Sequence, residues 1–259
     1  MLSIQRVGKR FGGVDAVRDC SFEITRGSIT GLIGPNGAGK TTLFNMIAGA
    51  LRPSSGRIVF DGKDVTGLAA DRMFHLGIVR SFQIPHELAE MTVLENLMFV
   101  PPGQIGETPL GALLRGGGVR RQEATIKARA DATLEFLGLT HLRGELAGRL
   151  SGGQLKLLEL GRTMMTDARL VLLDEPAAGV NRTLLGKILE MIRTLNSERG
   201  YTFCIIEHDM DVIATLCDPV VCMAQGTVLV QGTMDEVRRN EEVLEAYLGN
   251  AATSAEVAH

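Results

Sequence analysis

Apolar residues recur along this chain with two periods, and the switching between them outlines a fold. Runs dominated by apolar residues at 29–33, 170–173 and 201–206 have the length of strands and are bounded by turn or acidic residues. They predict strands buried on both faces, as in a parallel sheet. Alternation at 2–7 and 20–26 predicts two further short strands, with a loop holding Gly8, Gly12 and Gly13 between them. Shorter strands are expected at 57–60, 79–82, 220–223 and 227–230, with tight turns at Asp61-Gly62 and Gln225-Gly226.

Helical spacing takes over after residue 40, where Leu43, Phe44, Ile47 and Ala48 share a face, and again at 70–77. From Thr92 to about Leu150 it dominates, broken by a Gly- and Pro-containing stretch at 101–118. Ser151 is placed to cap a helix carrying Leu157, Leu158 and Leu160, and Asn181 to cap one that runs to about Arg199 and stops at Gly200. Thr233 and Glu236 form a capping-box pattern for a last helix, whose Val237, Leu244 and Leu248 face the body and which ends at Gly249. Strands alternating with helices predict an α/β protein. Residues 1–249 read as a single domain with a helical subdomain at about 88–165, and 250–259 as a flexible tail.

Composition narrows the function classes. With 259 residues the chain can bury a sizeable core. Its net charge of −3 and scattered basic residues leave no electrostatic footprint for nucleic acid, so no nucleic-acid partner is expected. Within the helical stretch, Arg115, Arg120, Arg121, Lys127 and Arg129 are offset by Glu123, Asp131 and Glu135, which reads as a solvated face. No run approaches the roughly 18 apolar residues of a membrane span, and no export signal opens the chain, so a cytoplasmic location is expected. Cys20, Cys204, Cys217 and Cys222 show no Cys-x-x-Cys spacing and read as buried free thiols.

The chemistry centres on residues 34–42, GPNGAGKTT. A predicted strand precedes this phosphate-loop pattern and a predicted helix follows it, which is the context the pattern requires. In the loop Gly34, Pro35, Asn36, Gly37, Ala38 and Gly39, the glycines at 37 and 39 let the backbone curl so that successive N–H groups point into one concavity, and the helix start adds its positive dipole end. Lys40 supplies a point charge for the β and γ phosphates, Thr41 a hydroxyl for Mg²⁺, and Thr42 continues the helix start. The guest is a nucleoside triphosphate.

Other candidates gather at predicted strand ends. The strand at 170–173 finishes in Asp174 and Glu175, on the carboxyl side where ligands of parallel sheets collect. Asp174 is placed to hold Mg²⁺ and Glu175 to polarise an attacking water. His208 follows the next strand and is assigned to sense the γ phosphate. Ser151, Gly152, Gly153 and Gln154 open a helix whose N-terminus suits an anion. Phe11 in a glycine-rich loop and Gln83 at a strand edge carry no assignment by themselves.

Taken together, these stretches resemble the ATP-binding subunits of ATP-binding-cassette transporters over nearly the whole chain. Residues 34–42 match the family's first nucleotide motif, Gln83 its glutamine loop, 150–154 its signature, and 170–175 its second nucleotide motif. Residues 177–181 match the dimer-contact loop and His208 the switch histidine. The resemblance implies a phosphate-loop NTPase fold with a RecA-like parallel core, an N-terminal antiparallel β subdomain and a helical signature subdomain. It implies ATP and Mg²⁺ as cofactors, Phe11 stacking on adenine, and Gln83 contacting Mg²⁺ and coupling to a membrane subunit. It implies too a head-to-tail homodimer, or a heterodimer with a related ATPase, in which Ser151, Gly152 and Gly153 reach the nucleotide of the other subunit. Permease subunits, and through them a solute-binding protein, are the further partners, and the chain is expected at the inner face of the cell membrane. The Phe11-Gly12-Gly13 start, the stretch 91–97, the loop 176–179 and the Tyr247-Leu248-Gly249 ending are most similar to ATPases of branched-chain amino acid uptake and of urea import. Lipopolysaccharide-export ATPases share the ending and the dimer loop. Arg182 stands where relatives commonly have proline, and Leu155 where many have glutamine.

Overall fold

A computed structural model of the chain describes residues 1–81, 86–107 and 116–247. These fall into two compact units, one made of residues 1–80, 169–178 and 192 onward, the other of 81–168 and 179–191.

Among the described residues, the first unit holds every strand. β1 (Leu2–Phe11) and β2 (Val14–Ile24) form a hairpin, with β4 (Ser55–Phe60) and β5 (Lys63–Asp64) completing an antiparallel sheet of order β2-β1-β4-β5. The glycine loop expected between the first two strands is shorter than its composition suggested. Only Gly12 and Gly13 form the turn, while Gly8 lies within β1 and pairs with Ser55. Strand pairing extends the regular structure to where the chain reverses, which a local alternation pattern cannot register.

The second sheet has the order β10-β9-β3-β8-β7-β6. Its members are β3 (Ile29–Ile33), β6 (Ile78–Arg80), β7 (Leu170–Asp174), β8 (Thr202–Ile206), β9 (Val220–Ala224) and β10 (Thr227–Gly232). β6, β7, β8, β3 and β9 run parallel, and β10 turns back antiparallel as an edge. β3, β8 and β9 are buried along their whole length, as their apolar runs require. α1 (Lys40–Ile47) follows β3 and puts Leu43, Phe44, Met46 and Ile47 into the core that also takes Leu172, Ile206 and Met223. α2 (Ala70–His75) leads into β6.

The second unit is helical. α3 (Val93–Met98), α4 (Gly116–Phe136) and α5 (Gly152–Met164) are mutually packed, and Val93, Leu97, Ala130, Leu134 and Leu158 are buried. Arg129 donates to the Met164 and Thr166 carbonyls at 2.7 and 2.8 Å, which satisfies the open end of α5. Thr92 and Glu95 form a reciprocal cap on α3, and Ser151 and Gln154 on α5.

α6 (Arg182–Arg199) begins where Asn181 Oδ1 accepts the Leu184 N–H at 2.9 Å. α7 (Met210–Leu216) is a short helix that sequence spacing did not reveal, capped by Asp209. The single last helix expected after Thr233 is two helices. α8 (Met234–Arg239) stops at Asn240, whose side chain caps a new helix at 241–247 through the Val243 N–H at 3.0 Å. The expectations for Leu248, Gly249 and the 250–259 tail lie outside the described residues.

Candidate functional site

Between β3 and α1 the chain turns through residues 34–39. Gly34 has φ 147, and a Cβ there would collide with the Met223 carbonyl oxygen, so only glycine lets the loop pass this close to β9. Gly37 has φ 79, and a Cβ there would meet nothing within 4 Å, because it faces the open hollow of the loop. Gly39 caps α1 in the left-handed conformation without a side-chain hydrogen bond, so the helix start is left to a ligand. The β9–β10 turn braces the loop from behind, the Gly226 N–H donating to Ala38 O at 3.2 Å.

A cavity of about 270 Å³ opens in front of this loop. Asn36, Gly37, Ala38, Gly39, Lys40, Thr41 and Thr42 line it, and Glu175 and His208 face them from the ends of β7 and β8. Parallel strands bring residues far apart in sequence to one edge of the sheet. Glu175 and His208 meet there, His208 Nε2 lying 3.0 Å from Glu175 Oε1. Glu175 sits just past β7 with φ 50, a conformation that residues other than glycine rarely adopt.

The Lys40 ammonium is buried and donates to the Gly34 and Pro35 carbonyls at 2.6 and 3.0 Å. Burial lowers its pKa from the usual lysine value, and the charges of Glu175 and Asp174 oppose that shift. Two carbonyls are weak partners for a buried cation, so Lys40 is suited to pair with an anion held by the loop.

Asp174, at the end of β7, lies beside the cavity rather than in its lining. Its Oδ2 accepts from Arg80 Nη2 at 2.6 Å, and the other arm of that guanidinium donates to Asn45 on α1. Among the described residues no cluster of three or more His, Cys, Asp or Glu could hold a metal alone. A hydroxyl at Thr41 and one carboxylate at Asp174 fit Mg²⁺, which keeps few protein ligands and takes the rest from phosphates and water.

The other expected site residues are more scattered. Gly34 and Pro35 serve through their carbonyls. Phe11 ends β1 with its ring 48% exposed, outside the cavity lining, and Lys9 Nζ stands 5.1 Å from the ring centroid. Gln83 lies outside the described residues. Ser151, Gly152, Gly153 and Gln154 open α5 in the helical unit. There the Ser151 hydroxyl accepts the Gln154 N–H at 3.4 Å, and the Gln154 side chain accepts the Ser151 N–H at 2.8 Å.

Three residues were missed. Arg80 holds Asp174 and is itself held by Asn45, and Glu207, buried beside His208, accepts the Ala177 N–H at 2.6 Å. For Arg80 and Glu207 the one sequence signal was a charge at an apolar strand, which is not specific by itself, and Asn45, an uncharged residue on α1, gave none. All four cysteines are free and buried, as expected, and burial pushes the Cys20 and Cys222 thiols to about 11 and Cys217 to about 12. They stay protonated and unreactive at neutral pH.

The comparisons converge. The family described as "ABC transporter" matches residues 17–178, and "Branched-chain amino acid ATP-binding cassette transporter" matches 227–253. The "Probable branched-chain amino acid transport ATP-binding protein LivG" of Archaeoglobus fulgidus is 43% identical over 249 residues, covering 96% of this chain and 95% of that protein. The "High-affinity branched-chain amino acid transport ATP-binding protein BraF" of Pseudomonas aeruginosa is 37% identical over 97% of this chain and 98% of its own length. A crystal structure of the ADP conformation of an ATP-binding cassette from an ABC transporter superposes with TM-score 0.82 at 38% identity, over 96% of this chain and 98% of that one.

Proposed function

Since the chain belongs to the ABC transporter family of ATP-binding cassettes, we propose that it binds MgATP, hydrolyses it to ADP and phosphate, and thereby powers import of branched-chain amino acids. The observation that carries the chemistry is the single cavity where Lys40, Thr41, Glu175 and His208, from three separate strand ends, line one wall after another. The cargo reading rests on the relatives' names and on the match of residues 227–253.

Each residue has a task that follows from its place. The backbone amides of 36–42 and the start of α1 bind the β and γ phosphates, and Lys40 exchanges its two carbonyl partners for phosphate oxygens. Thr41 and Asp174, with Gln83, hold Mg²⁺, which when bound neutralises the β and γ oxygens. Glu175 orients a water and takes its proton as that water's oxygen bonds to the γ phosphorus, while the bond to the β-phosphate oxygen breaks and its electrons leave with ADP. His208 Nε2 turns its proton from Glu175 to a γ-phosphate oxygen. Phe11, exposed at the tip of its hairpin, offers a ring to the adenine.

Ser151, Gly152, Gly153 and Gln154 complete the site of a second ATPase subunit, across a homodimer or a heterodimer with a related chain. Membrane contact runs through permease subunits, as in the transporters whose ATP-binding subunits this chain resembles; no helix among the described residues is long and apolar enough to cross a bilayer. Glu175→Gln keeps ATP affinity and lowers phosphate release by about 10²-fold or more, the range lost with a general base. Unchanged steady-state hydrolysis in that variant would remove Glu175 from its role.

A further inference from the structure

Glu207 stands between the last residue of β8 and His208, is only 4% exposed, and has no part in the chemistry above. A buried carboxylate is costly to keep unless several donors hold it. Here its Oε1 accepts the Ala177 N–H at 2.6 Å and its Oε2 the His208 N–H at 3.2 Å. Burial raises the Glu207 pKa above the usual carboxylate value, and these backbone amides pull against that rise.

The donors come from two different loops. Ala177 lies on the segment that leaves β7 with Glu175, and His208 on the segment that leaves β8. Glu175 is bracketed between two ties, one to the end of β8 and one to the residue that follows it. Its own N–H donates to Ile206 O at 2.9 Å, and two residues later the Ala177 N–H is held by Glu207. With both sides pinned, the left-handed backbone at Glu175 has no room to relax, and its carboxylate stays 3.0 Å from His208.

We propose that Glu207 is a positioning residue: its buried carboxylate ties the Glu175 loop to the His208 loop, so that the water-orienting acid and the phosphate-sensing imidazole keep their spacing through the catalytic cycle. This rests on the ATPase reading above. A side chain that only filled space would not need an amide from each of two loops. Glu207 touches no reacting atom, so its effect belongs in turnover rather than in nucleotide affinity.

The test is steady-state MgATP hydrolysis by the full chain as wild type, Glu207→Ala and Glu207→Gln, with thermal unfolding of each. Glu207→Ala is expected to lower kcat by about 10- to 100-fold at unchanged KM, the scale of a small misplacement of catalytic groups. Glu207→Gln keeps an acceptor for Ala177 but turns an amide group on the His208 N–H. It recovers part of the lost kcat and melts no lower than wild type at neutral pH, because it removes a buried charge. If Glu207→Ala does not fold, a lowered kcat at unchanged KM and unchanged melting in Glu207→Gln supports the tie by itself. Wild-type kcat in Glu207→Ala overturns the proposal, as does a kcat loss in both variants that only follows the fraction folded. Those results leave the ATPase reading standing. A wild-type chain that binds no MgATP brings down both.

Discussion

Arg80 and Asp174 form an ion pair that lies mostly out of water, their side chains 13% and 24% exposed. Such a pair adds little net stability when intact, yet removing one partner strands the other charge. Arg80→Gln is therefore expected to destabilise the nucleotide-free protein by about 2–4 kcal/mol. With MgATP the loss should shrink, because Asp174 then has a second cation to answer to. Urea unfolding with and without MgATP checks this, and an equal loss in both would argue against Asp174 as a metal ligand. At this scale the sequence singled out Lys40, Thr41, Glu175 and His208, which line one cavity, because phosphate chemistry demands these types at set distances from a strand or a glycine turn. It hid Arg80 and Glu207. Their partners, Asp174 and Ala177, are 94 and 30 positions away, and only strand pairing makes them neighbours.

Elements were legible where a local rule ends them. Ser151-Gln154, Asn181-Leu184 and Thr233-Glu236 each form the cap their spacing advertises. The break at Asn240 was not foreseen, since Val237 and Leu244 keep a helical phase across it. Asn240 accepts the Val243 N–H with its side chain and the Leu244 N–H with its carbonyl at 3.1 Å, so it begins one helix where the other stops. Asn240→Ala should lower the local stability of 241–247 by about 1 kcal/mol. Amide hydrogen exchange there would speed up about fivefold, with the exchange of α1 unchanged. Uniform exchange rates across the variant would mean that the cap is idle.

For the molecule as a whole, the cavity before the phosphate loop belongs to the unit with the two sheets, so bound nucleotide stabilises that unit directly. At nucleotide concentrations near 100 times Kd the gain is about 2.7 kcal/mol. Thermal unfolding should accordingly shift upward with MgATP, and Lys40→Ala should abolish most of that shift without lowering the unfolding temperature of the nucleotide-free protein. No shift at saturating nucleotide in a folded chain would contradict ATP binding outright.

From the sequence alone came the α/β class, the buried parallel strands and the identity of the phosphate loop. These depend on period, glycine placement and the types that phosphate chemistry needs, all of which are local. Only the tertiary structure decided which strand ends meet, that Arg80 answers Asp174, and that Glu207 joins two loops. Those facts depend on the strand order β10-β9-β3-β8-β7-β6, and a sheet's order is set by the packing of distant segments, which leaves no mark on any single stretch of chain.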